Sequence, residues 1–207
     1  CLVGSEMCIR DSIRPLAMFA MRVYEDDPCE CFAPKRSNPD AYEDHSDAVI
    51  AKMHKAISII QFKLEGQDIL AHPEYEMEDR LLLDKLDLER GALRIGGQEY
   101  PLKDTNFPTI DPTAPYALSP EEAKVIEGLV SSFVNCEKLQ RHIEFIYKKG
   151  SMYKYYNNCL MFHGCIPMEP DGSFTTLNVY GDICSGKSLF DCCERLASLK
   201  YASETSL

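Results

Sequence analysis

Two stretches of this sequence combine residue types and spacing that could do chemistry. Gly181-Asp-Ile-Cys-Ser-Gly186-Lys187-Ser188 satisfies the phosphate-loop pattern G-x-x-x-x-G-K-[ST]. In such a loop backbone N–H groups and a helix N-terminus hold phosphates, the lysine reaches the terminal phosphate and the hydroxyl binds magnesium. The second stretch is His163-Gly164, which closes the short apolar run Asn158-Cys-Leu-Met-Phe162. A histidine at a strand end suits a metal ligand, because the strand fixes the imidazole and a small neighbour lets other ligands approach. Both have plainer readings. Gly186 can permit a turn while Ser188 caps a helix, and this reading is preferred. Helices and a meander precede the loop, whereas a nucleotide loop normally follows a first strand, and few residues after Ser188 are left for the later strands. His163 by composition alone would be a satisfied structural histidine. His54 and His142 lie in helical patterns with no second ligand at i+4, and His72 precedes a proline, so all three are read as structural.

Ten cysteines raise the question of disulfides or zinc. Their spacings are irregular, no signal peptide is visible, and the remaining composition can build a core without staples, so reduced thiols are expected. Cys29-x-Cys31 has one intervening residue, and Cys192-Cys193 sits in a helical pattern. Neither has the spacing of a zinc knuckle.

The elements that would position these residues come from a chain of 207 residues, 45% hydrophobic and 27% charged, which is enough for one domain or two small ones with a real core. Wholesale disorder and collagen-like structure are excluded by that composition. No stretch approaches the ~20 apolar residues of a membrane helix. With 33 acidic against 22 basic residues the net charge is −11, which repels phosphate backbones and anionic lipid surfaces. Neither nucleic acid nor a membrane is expected as a partner, although a small basic pocket for a phosphorylated metabolite is compatible with this charge.

Residues 1–12, CLVGSEMCIRDS, show no periodicity and resemble translated adapter sequence, so they are expected to be non-native. Truncation at both ends is the accompanying expectation. Leu16, Phe19, Ala20 and Val23 mark a helix from Ile13 to Asp26. Pro28 to Pro39 reads as a surface connection. Ile50, Met53, Ile57, Ile60 and Leu64 mark a longer helix that should stop at Gly66. Between Met77 and Leu102 the period becomes two, with turns at Glu89-Arg90-Gly91 and Gly96-Gly97, which predicts an antiparallel meander. Ser119-Pro120-Glu121-Glu122 is a capping box with proline at the first helical position. The apolar face that follows is predicted to run through Ile126, Leu129, Val130, Phe133, Ile143 and Ile146 to Gly150. Asn158–Phe162 reads as a buried strand and Asp171-Gly172 as a turn. Phe174–Tyr180 reads as another strand, and Ser188–Lys200 as a helix with Leu189, Cys192, Cys193, Leu196 and Leu199 on one side.

Longer ordered runs carry a family resemblance. Lys148-Lys-Gly-Ser-Met-Tyr153, Asn157-Asn-Cys-Leu-Met-Phe-His-Gly-Cys-Ile-Pro-Met168, Met53-His-Lys-Ala-Ile-Ser-Ile-Ile-Gln-Phe-Lys-Leu64 and Glu78-Asp-Arg-Leu-Leu-Leu-Asp-Lys85 closely resemble the Firmicute-type, class III fructose-1,6-bisphosphatases of the calcineurin-like metallophosphatase superfamily. The similarity runs from about Ile13 to about Lys200. It implies an α/β fold. Residues 151–207 would form part of a truncated metallophosphatase core with mixed sheet and flanking helices, and residues 13–150 an inserted helical region with a small meander at about 77–102.

The resemblance also implies a binuclear site, usually with manganese, to which His163 would contribute one ligand. The other family ligands lie in motifs of the types D-x-H, G-D-x-x-D-R-G, G-N-H-D and G-H-T-P, none of which occurs here. Gly181-Asp182-Ile183-Cys184-Ser185 shares only the first two letters of the second motif and has serine where its next aspartate is required. The implied reaction is hydrolysis of fructose 1,6-bisphosphate to fructose 6-phosphate and phosphate, a cytoplasmic step of gluconeogenesis. Two metals would lower the pKa of a bridging water and stabilise the leaving oxygen. The isolated fragment is expected to be inactive. Arg141, Lys148 and Lys149 could face the anionic substrate, though cations at a helix C-terminus are favoured by its dipole in any case. A rival from another class is a non-catalytic acidic interaction module.

Overall fold

Leu16, Phe19 and Ala20 recur at helical spacing, and all three are buried along α1 (Val3–Val23). The computed structural model describes residues 3–35, 47–162 and 164–205, with a division between Cys136 and Glu137 into two compact units. α1 starts ten residues before the predicted Ile13 and carries Pro15 inside it, where one intrahelical N–H is missing. In the first unit α1 packs against both α2 (Asp47–Ala71) and α3 (Pro120–Val134). Leu16, Phe19, Ala20, Tyr24, Ala51, Ala56, Ile60 and Val125 share one core.

The buried face of α2 departs from the predicted stripe. Ile60 is buried and Met53, Ile57 and Leu64 pack at the core margin, but the face also carries Lys52, Lys55 and Lys63. Each ammonium has a polar destination. Lys52 Nζ donates to the carbonyls of Tyr24 (2.5 Å) and Glu25 (2.6 Å), just past the end of α1, where helix carbonyls lack intrahelical donors and carry negative dipole charge. Lys63 Nζ donates to Thr109 O (2.6 Å) and Glu122 Oε2 (2.7 Å). Lys55 Nζ reaches Asp27 Oδ2 (2.6 Å) and both oxygens of Asp104 (2.8 and 2.7 Å). The rings of Tyr24, Phe107 and Phe32 lie 4.9, 5.1 and 5.9 Å from the same nitrogen. Aliphatic stems count toward the apolar face while their ends are paired, so the helix can bury lysine without an orphaned charge.

Gly66 does not stop α2. It lies inside the helix against Tyr116, and a Cβ there would stand 2.0 Å from that ring's Cδ1. The glycine serves a close approach, and α2 continues a turn further to Ala71.

The meander forms as predicted, with β1 (Leu86–Asp87), β2 (Ala92–Ile95) and β3 (Gln98–Pro101) antiparallel in that order. Gly96 and Gly97 take positive φ at the β2–β3 turn. α3 starts on the predicted capping box: Ser119 Oγ accepts from Glu122 N, and Glu122 Oε2 accepts from Ser119 N at 2.7 Å. Its apolar face does not continue to Gly150. The helix ends at Asn135, whose side chain donates back to Ser131 O at 2.8 Å, and α4 (Glu137–Lys149) is a separate helix.

The second unit contains α4, the hairpins β4 (Tyr153–Tyr156) with β5 (Cys159–Phe162) and β6 (Leu177–Val179) with β7 (Asp182–Cys184), and α5 (Gly186–Thr205). Asn157 and Asn158, both at positive φ, make the first hairpin turn, the conformation that matches strand twist. The expectation of a buried strand at Asn158–Phe162 is corrected here. β5 pairs with β4 alone, and Leu160 and Phe162 are 50% and 41% exposed. β6 is shorter than the predicted strand at Phe174–Tyr180.

Replacing Lys55 with methionine keeps the stem and leaves Asp27 and Asp104 without their cation. Urea denaturation should show a loss of about 3 kcal/mol. Burial alone would raise the Asp27 pKa, but Lys55, the Cys29 N–H and Asn106 hold it below the ordinary carboxylate range. The unfolded chain therefore binds this proton more readily. The stability that Asp27 contributes is present above its unfolded pKa and is lost as pH falls through the folded value. Stability measured between about pH 7 and about pH 3 should fall less steeply in Asp27→Asn than in the wild type.

Candidate functional site

The residue singled out as a metal ligand, His163, lies outside the described residues, and the structure describes what surrounds it in sequence. β5 delivers Phe162 to the hairpin end in register with Tyr153. Gly164 follows at φ 81° with open space where a side chain would be, so the backbone can turn away immediately after the histidine. Helix α5 braces this end of the hairpin. The Phe190 ring lies 6.1 Å from Phe162 and 6.2 Å from Tyr153. Tyr153 Oη and Asp191 Oδ1 are 3.0 Å apart with the hydroxyl donating, and Glu194 Oε2 accepts from Ser151 Oγ (3.0 Å) and Met152 N (3.2 Å). No periodicity within the hairpin or the helix encodes this brace, because its partners are 28 to 43 residues apart.

The phosphate-loop reading is overturned by the backbone. Gly181 at φ 92° turns the β6–β7 hairpin, Asp182–Cys184 form β7, and α5 starts at Gly186, so a strand occupies the place of the loop. Ser188 Oγ donates to Ser185 O and accepts from Ser185 N, both at 2.9 Å. Lys187 Nζ lies 2.5 Å from Asp191 Oδ2 and 5.2 Å from the centre of the Tyr153 ring. Lys187 is thus paired with a carboxylate on its own helix, and that hydrogen bond raises its pKa.

Arg141, Lys148 and Lys149 are exposed on α4. Lys148 is paired with Glu144, four residues before it, and its pKa is raised by that hydrogen bond. Two of the other histidines make local contacts. His54 Nδ1 lies 3.2 Å from Phe32 O, and His72 Nδ1 lies 2.9 Å from Glu74 Oε1 with its ring stacked on Tyr75. Among the described residues no three His, Cys, Asp or Glu side chains come together as a metal site.

A family model described as Firmicute fructose-1,6-bisphosphatase matches residues 7–206. The chain belongs to that family. It is 53% identical over 191 residues to the fructose-1,6-bisphosphatase class 3 of Clostridium tetani, covering 92% of this chain and 28% of that protein. The protein of the same name in Listeria innocua is 47% identical over 190 residues, covering 92% and 29%. That of Alkaliphilus metalliredigens is 48% identical over 220 residues, covering 96% and 33%. The chain therefore spans about three-tenths of the length of these Firmicute fructose-1,6-bisphosphatase relatives. No solved structure matches it.

Phe190→Ala should undock α5 from the hairpin and destabilise the second unit by about 3 kcal/mol. Amide exchange across Tyr153–Phe162 should then accelerate relative to exchange in α2.

Proposed function

We propose that this chain is part of a class III fructose-1,6-bisphosphatase that hydrolyses the 1-phosphate of fructose 1,6-bisphosphate in cytoplasmic gluconeogenesis. The observation that carries the reading is the family match over residues 7–206, together with relatives near 50% identity that bear that name. The charge pattern agrees with a small-molecule substrate, since a net charge of −11 disfavours a polyanionic partner. No helix among the described residues is long and apolar enough to cross a membrane.

In this reading residues 151–207 belong to the metallophosphatase core and residues 13–150 to an inserted region. His163 supplies one imidazole to a binuclear manganese centre. Such a centre, completed by other donors, would supply activation of water and neutralisation of phosphoryl charge. The described residues do not fit such a centre by themselves, because they gather no set of donors. The remaining ligands are assigned to the seven-tenths of the relatives' length that this chain does not span. The task of these residues is positional: the β4–β5 hairpin, braced by Phe190, Asp191 and Glu194, holds the segment that presents His163. Arg141, Lys148 and Lys149 are assigned to the approach of the anionic substrate.

Exposed apolar side chains support a larger parent fold. Tyr155, Tyr156, Leu160, Met161 and Phe162 all stand exposed on one small hairpin. A patch of this kind marks a surface that another layer covers.

The test uses the longer protein that carries this segment, loaded with manganese. His163→Ala should lower turnover of fructose 1,6-bisphosphate by more than about a hundredfold and reduce bound manganese. Unchanged metal content and turnover would remove His163 from the site. Absence of activity in the loaded wild type toward any sugar bisphosphate would favour the acidic interaction module instead.

A further inference from the structure

The cysteines of the second unit are not all alike. Cys159 and Cys165 are exposed, whereas Cys184 and Cys192 are buried together with Leu189 in one cluster, with Cys193 packed at its edge. Cys184 ends β7, Cys192 lies on α5, and the two side chains pack in the same buried cluster. Both line a shallow surface groove whose other walls include Asp182, Asp191 and Arg195. Arg195 is held by an ion pair with Asp182, and its Nη2 lies 3.6 Å from Cys192 Sγ. A zinc site is not formed here, since no third donor joins the two sulfurs among the described residues. What remains is two cysteines packed in one cluster, one of them in contact with an arginine, an arrangement from which thiol oxidation can proceed.

We propose that Cys184 and Cys192 form a reversible disulfide on exposure to a peroxide, with Cys192 as the attacking sulfur and Cys184 as the resolving one. The Cys192 sulfur attacks one oxygen of hydrogen peroxide and the O–O bond breaks. Sulfur becomes a sulfenic acid, and the departing hydroxide leaves as water with the Cys192 proton. The Cys184 sulfur then attacks the sulfenic sulfur, forming the S–S bond and breaking S–O. The leaving hydroxide takes the Cys184 proton as a second water. Two sulfurs are together oxidised by two electrons, and one peroxide is reduced to two waters.

Arg195 sets the order of attack. Its Nη2 donates to Cys192 Sγ at 3.6 Å, so Cys192 is the sulfur in contact with the cation. Burial first, and then Cys192, keep the Cys184 thiol above the ordinary cysteine range, which suits the partner that acts second. The product would clamp the end of β7 onto α5, the helix that braces the β4–β5 hairpin. This inference concerns only the present chain and does not depend on its catalytic reading.

The experiment treats the reduced chain with hydrogen peroxide under native conditions, alkylates remaining thiols and maps tryptic peptides by tandem mass spectrometry. Cleavage after Lys154, Lys187 and Arg195 places Cys184 with Cys159 and Cys165 on one peptide and Cys192 with Cys193 on another, so fragment ions that localise the link identify the crosslinked pair, which dithiothreitol separates. The expected result is this pair as the main product, with the same oxidation in urea spreading the links over several cysteines. Cys184→Ser should leave a sulfenic acid at Cys192 that dimedone captures, and Arg195→Gln should slow the native reaction several-fold. Full alkylation of Cys192 after peroxide, or the same distribution of links in native buffer and in urea, would overturn the proposal. The wild-type map decides this even where a variant fails to fold.

Discussion

The ammonium of Lys55 is the point on which the first unit turns. It is fully buried, and a lone cation there would be intolerable, so the chain must bring carboxylates to it. Asp27 comes from the segment after α1 and Asp104 from the loop after the meander, forty-nine residues further along than the lysine. Asn106 ties the same cluster from a third side by donating to Asp27 Oδ2 at 2.9 Å. Two distant segments, the one after α1 and the loop after the meander, are thereby fixed on α2, and the aromatic rings of Tyr24, Phe32 and Phe107 lie around the ammonium. A buried ion cluster of this kind adds little net stability over an apolar equivalent, but it penalises every arrangement that leaves one member unpaired.

Local chemistry in the sequence was enough to read some elements. The α3 capping box and the glycine-turned meander depend on residues within a few positions of each other, and both formed where their residues predicted. Elements that depend on distant partners were misread. Gly66 looks like a helix stop until Tyr116 is seen against it. The predicted apolar stripe of α2 omits Lys55 and Lys63, whose burial depends on Asp27, Asp104 and Glu122 from elsewhere in the chain. The unbroken apolar pattern from Ile126 to Ile146 hid a helix boundary that Asn135 makes by binding its own turn. Asn157-Asn158 could have been recognised as a two-residue hairpin turn, since asparagine tolerates positive φ better than most residues.

The candidate site shows the same division. The phosphate-loop letters are satisfied in sequence, yet geometry assigns them to a strand, a turn and a paired lysine. A motif of eight letters says little when a strand occupies the place of its loop. The resemblance carried by longer ordered runs was the more informative signal, and the family match over residues 7–206 agrees with it. The brace of Phe190, Asp191 and Glu194 was illegible because its contacts span the hairpin and the helix, and no periodicity within either element encodes them.

One carboxylate oxygen in the first unit has two donors. Glu122 Oε2 accepts from the Ser119 N–H that opens α3 and from the Lys63 ammonium of α2. The start of one helix and its seating on another are thus not separate events. If α3 frays at its first turn, Lys63 loses its counter-charge in the interior, and if α2 withdraws, the cap keeps a carboxylate stripped of its cation. Such a shared atom couples local helix nucleation to tertiary docking, so these two helices gain or lose order cooperatively as a single folding unit.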